Sequence, residues 1–143
     1  MPMDFKKAFG YDEKKADVGV WIDIADGISI KIAKLGTVKY QEALMRYTRR
    51  HQAIIRLNRL DPKMMADITA NTLADSILLD WKGVIIDDIP IDYNRDNAYR
   101  MLKEYPDFRT LVENNANDAS NFQDDAIDLE ADTKNLPITS NGP

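Results

Sequence analysis

Apolar residues alternate on both sides of an Asp-Gly pair: Val20, Ile22 and Ile24, then Asp26-Gly27, then Ile28, Ile30 and Ile32. This is the period of a half-buried strand, so the stretch 18–34 is expected to form a hairpin. A two-residue loop would set Ile24 against Ser29. A three-residue loop, Ala25-Asp26-Gly27, pairs Ile24 with Ile28 and Ile22 with Ile30, with Gly27 left-handed at its end. One hairpin cannot stand alone, and its isoleucine face must pack on helices or on another subunit's strands.

The period then changes to that of a helix. Thr37 caps a helix expected over about 37–59, with Tyr40, Ala43, Leu44, Tyr47, His51 and Ile54 on its buried stripe. Asp61-Pro62 opens the next, over 62–80, carried by Met64/Met65, Ile68, Thr72, Leu73 and Ile77. Two adjacent methionines suit either core filling or an adaptable surface. Asn94 caps a helix over 95–104 that buries Ala98, Met101 and Leu102. Pro106-Asp107 starts a last helix to about 128, whose face of Phe108, Leu111, Val112, Ala119, Phe122 and Leu129 thins after Val112. Such a thin face resembles a partner seam more than a core helix, which singles out Leu111, Val112, Ala119 and Phe122. The fold class is therefore α+β and mostly helical. Residues 17–130 are expected as one domain, between a flexible segment 1–16 and a disordered tail 131–143.

Charge refines this picture. The net charge of −5 resides in the C-terminal segment, since residues 117–143 hold six acids and only Lys134, leaving 18 acids and 18 bases in residues 1–116. Within that neutral body, residues 31–63 carry nine bases against Glu42 and Asp61. Arg46, Arg49, Arg56 and Arg59 share one helical face, with Arg50 beside it. That face suits an acidic partner or nucleic acid, or it is a solvated face answering the acidic tail. A negative overall charge speaks against a nucleic-acid partner.

Chemistry is sparse. Without cysteine there is no thiolate, disulfide or cysteine-held zinc, and one histidine, His51, leaves no multi-histidine metal site. Asp87, Asp88 and Asp92 lack the spacing of a calcium loop, and the six glycines make no phosphate-binding loop. No enzyme and no cofactor is expected. The first residues lack an apolar signal core and no run approaches spanning length, so the expected location is the cytoplasm of the cell that makes the protein, without a membrane.

The most distinctive stretch is Leu79-Asp80-Trp81-Lys82-Gly83-Val84, expected as a helix-to-loop corner with Trp81 buried and Gly83 ending the helix. With the acidic turn that follows, Pro90, Asn97-Ala98, Leu102 and Pro106-Asp107-Phe108, it resembles the tail assembly chaperones of long-tailed bacteriophages. The resemblance covers roughly residues 60 to 122. One departure is Asp87-Asp88 where the family often has Asp-Gly, which should alter the turn. The resemblance implies a protein that binds the tape measure protein, keeps it soluble and recruits tail tube subunits. It further implies an oligomer, a possible frameshifted longer form, and absence from the mature virion. A structural tail or connector component and a nucleic-acid-binding regulator are the competing readings.

Overall fold

The computed structural model describes residues 2–123. The tail at 131–143 and the end of the helix expected to reach 128 lie outside them. The described chain is α+β and mostly helical. Two short helices, α1 (Phe5–Phe9) and α2 (Glu13–Val18), lead into β1 (Val20–Ala25) and β2 (Ile28–Ile32). Then come α3 (Val38–Arg50), α4 (Gln52–Arg56) and α5 (Pro62–Ser76), strand β3 (Leu78–Lys82), and a small hairpin, β4 (Ile85–Ile86) and β5 (Ile89–Pro90). Helices α6 (Arg95–Glu104) and α7 (Pro106–Asn117) follow, with a 3-10 turn at Ala119–Phe122.

Strands β1, β2 and β3 form one antiparallel sheet in that order. Its inner face carries Val20 and Ile22, Ile30 and Ile32, then Trp81 and Leu78. Leu73 of α5, Ile77 just after it, Leu102 of α6, and Val112 and Ala116 of α7 close the core over it with Phe122. The outer face pairs Trp21, Lys31 and Asp80, then Asp23, Ser29 and Lys82. There the Ser29 hydroxyl donates to Asp23 at 2.6 Å, and the Lys82 ammonium lies 4.2 Å from the Trp21 ring centre. One face apolar and one polar is what period-two alternation requires.

Five expectations are corrected. The hairpin keeps Ile22 opposite Ile30 and a left-handed Gly27 (φ +75°), but Ala25 opposes Ile28, so Ile24 is the bulged residue and the loop is Asp26-Gly27.

Leu78–Lys82 is a strand and not the end of a helix, because α5 stops at Ser76. Leu78 and Trp81 both face inward although they are three apart. Leu79 is an extra residue in the β2–β3 ladder, where Ile32 opposes Leu78 and Lys31 opposes Asp80. The bulge thus imitates helical spacing.

The helix expected over 37–59 breaks at His51 (φ −110°, ψ 17°), where the backbone N–H turns to the Thr48 carbonyl. Thr48 is itself bonded back to Leu44, a local competitor of the helical ladder.

Helix α7 ends at Asn117, because Asp118 leaves helical geometry and its carboxylate accepts from the backbone N–H and the hydroxyl of Ser120.

The segment 1–16, expected to be flexible, holds α1 and the first turn of α2. Asp4 and Asp12 cap them, and the Asp12 N–H donates to the Phe122 carbonyl at 2.7 Å.

Candidate interaction surface

Helix α5 carries Asp67, Asn71 and Asp75 at intervals of four, a single stripe. Helix α6 carries Arg95, Tyr99 and Lys103 at the same interval, and α3 ends on Tyr47 and His51. The fold brings the three stripes together. Arg95 donates from Nε to Asp75 at 2.7 Å and from Nη2 to Asn71 at 2.7 Å and to the Tyr47 hydroxyl at 2.9 Å. Tyr47 donates its own proton to Asp75, and Arg46 pairs with the same carboxylate at 3.0 Å. Asn71 donates to Asp67 at 3.3 Å, and Asp67 also accepts from Tyr99 and lies 3.4 Å from Lys103 and 4.0 Å from His51.

Burial alone would raise both carboxyls. At Asp75 the hydrogen bonds from Tyr47 and Arg95, with the charges of Arg95 and Arg46, outweigh it and hold the carboxyl below its ordinary range. At Asp67 the Tyr99 hydrogen bond, Lys103 and the His51 charge do the same. Both carboxylates are thus ionised and fully engaged. They bolt α3, α5 and α6 together.

The opposite side of α3 is different. Met45, Thr48, Arg49, Gln52 and Ile55 line a shallow groove of about 320 Å³ beside the His51 break. Met45 and Ile55 supply its apolar walls. Met45 is 58% exposed, and nearby in sequence Leu57 and Met65 are 64% and 56% exposed. Arg49, Arg56 and Arg59 are exposed as well, and none forms an ion pair among the described residues. Methionine beside arginine gives a surface that adapts to an apolar partner and holds its acids.

The residues singled out from the sequence fall into three groups. Arg49 and Arg56 are on this open face, while Arg46 is turned to Asp75. Val112 and Phe122 are fully buried, Leu111 is half-buried against the core, and Ala119 is half-buried in the 3-10 turn. Val112 and Phe122 therefore have no surface to offer in this fold. Trp81, Gly83 and Gly27 converge. The Trp81 indole N–H donates to the Ile91 carbonyl at 2.8 Å, and its ring meets Tyr93 edge-on at 5.2 Å. Gly83 (φ +78°) lies so close to the β1–β2 turn that a β-carbon there would sit 1.8 Å from the Gly27 carbonyl oxygen. Sequence reasoning missed Asp67, Asp75, Arg95 and Tyr99. The signal was present as three stripes of polar residues spaced by four.

The family model of the YdaY prophage protein matches residues 35–135 of the 143. The chain belongs to that family. It is a phage-derived protein. The matched residues run from α3 through α7 and so include the polar lattice, the open groove and the Trp81–Gly83 corner, whereas the β1–β2 hairpin precedes them. No curated protein matches the chain, and no solved structure does.

Proposed function

We propose that this YdaY-family protein is a tail assembly chaperone. In this reading it binds the tape measure protein in the host cytoplasm, keeps it soluble and recruits tail tube subunits, without remaining in the virion. The observation that carries the reading is the Met45–Ile55 groove, apolar and open, beside Arg49, Arg56 and Arg59, which make no ion pairs among the described residues. A holding chaperone needs accessible apolar surface that flanking charge keeps soluble. The resemblance at Trp81–Gly83 and the family's prophage origin agree with this role. The arginines would also suit a phosphate backbone, but the apolar walls beside Arg49 and the net charge of −5 favour a protein partner.

The test is co-expression with the long helical open reading frame of the same phage. The expected outcome is a soluble client that co-elutes with this chain, and loss of co-elution in an Arg49→Glu/Arg56→Glu variant. A client that stays insoluble while this chain elutes alone would overturn the reading. Stoichiometric recovery of the chain from purified particles would instead identify a structural component of the tail.

A further inference from the structure

The β4–β5 hairpin carries an exposed tip on a fixed base. Val84 and Ile91 pack against the core, and the Ile91 N–H donates to the Val84 carbonyl at 2.9 Å. Beyond them the tip, Ile85 to Pro90, holds two acids and no base. Ile85 and Ile89 are 55% and 63% exposed. Ile85 pairs with Pro90 and Ile86 with Ile89, so the two exposed isoleucines lie on opposite faces of the ribbon. Asp87 and Asp88 are exposed at the turn, and their carboxylates have no partner among the described residues. The groove on α3 and α4 has the converse make-up. Met45 and Ile55 form its walls, Arg49 and Gln52 supply donors, and no acid lines it.

We propose that the β4–β5 tip of a second copy of this chain fills the Met45–Ile55 groove, with Asp87 and Asp88 on Arg49 and the exposed isoleucines on the apolar walls. Each surface carries the charge that the other lacks, and both offer apolar contact. A ribbon that is apolar on both faces suits a groove with two apolar walls, and methionine lets one wall adapt to a branched side chain. Within one copy Asp87 and Asp88 make no ion pair with Arg49, so the contact lies between copies. Core packing already holds the base of the hairpin, so little ordering is needed on binding. Tip and groove are different surfaces. The association is therefore head to tail, and it closes a ring or runs open. Where the chaperone reading also holds, client and hairpin compete for one groove.

Sedimentation velocity of the full chain over a range of concentrations tests this. The expected result is a mass that rises with concentration and falls back as added salt screens the carboxylate–arginine contact. Asp87→Asn/Asp88→Gly removes both charges and gives the turn its preferred residues, so this variant folds at least as stably as the wild type. It should nevertheless weaken self-association by about tenfold or more, as should Arg49→Glu. Mixing the two variants restores one contact, the intact tip of one in the intact groove of the other, and gives a heterodimer of one copy of each. A wild type that stays monomeric at every concentration would overturn the inference. So would self-association that survives in either variant, or a mixture that stays monomeric. No client is present in these measurements, and Asp87→Asn/Asp88→Gly leaves the groove open to one. Self-association and client co-elution are thus read apart, and the two readings fail separately.

Discussion

Two seams hold this fold together, and they do so by different physics. At the Trp81–Gly83 corner the contact is close packing: an indole between sheet and loop, and a glycine pressed against the backbone of a distant turn. At the Asp67–Asp75 lattice it is charge, with two part-buried carboxylates shared among cations and phenols of three helices. Close packing fails when a single atom is added. A shared charge network fails by degrees, since water can replace part of what is lost at its rim.

Gly83→Ala should have the largest effect. The added carbon meets the Gly27 carbonyl and the residue must keep a positive φ, so we expect a loss of roughly 3 kcal/mol, read by denaturant unfolding. Gly27→Ala is its control. That position also has a positive φ but faces open space, so only the left-handed conformation is penalised, by about 1 kcal/mol. Equal losses at the two glycines would mean that the close approach contributes nothing.

In the lattice, Asp75→Ala leaves Arg95, Arg46 and the Tyr47 hydroxyl without their shared acceptor. Arg95 is partly exposed and regains water, so the loss should be about 2 kcal/mol, smaller than at Gly83. The pH dependence sharpens the point. Asp67 and Asp75 have folded values below the ordinary 3.8, so the unfolded chain binds their protons more readily. Their contribution is complete above that value and is lost as pH falls through the lowered folded values. Acid unfolding monitored by circular dichroism should show this loss in the wild type, and Asp75→Ala should flatten it.

Glu113 runs the other way. Burial raises its carboxyl above 4.5 despite the charge of Arg109, so its contribution is present below 4.5 and is lost as pH rises through the raised value. Glu113→Gln should therefore raise the neutral-pH melting temperature slightly while leaving the acid limb in place.

The smallest effect concerns the turn after the corner. Ile86 pairs with Ile89, and Asp87 and Asp88 both hold positive φ (51° and 65°), the signature of a type I′ turn. The aspartates were expected to change a turn that Asp-Gly would make. They occupy the geometry that Asp-Gly favours, and the conformational penalty falls on Asp88. Asp88→Gly should stabilise by about 0.5 kcal/mol, after allowing for the extra chain entropy of glycine.

Much of the fold was legible from local chemistry. Thr37, Asp61 and Asn94 cap helices where their side chains could accept from the first turn, and Ile22 faces Ile30 as alternation demands. Bulges and breaks were not legible, because they answer to partners far away in sequence. Leu78–Lys82 has helical spacing and becomes a strand only because β2 offers an edge to pair with. The thinning apolar face at Val112 and Phe122 looked like a seam. It is core, because residues of β2, α5 and α6 fill the space around it.

The candidate surface divides along the same line. The sequence by itself determined that arginines and methionines would crowd one stretch and that the acids would gather at the C-terminal end, since composition needs no folding. Only the tertiary structure decided which arginine was committed. Arg46 and Arg49 are three residues apart on one helix, and Asp75 reaches the first because antiparallel packing of α5 on α3 sets it there. The second is left without a carboxylate among the described residues, and it borders the open groove.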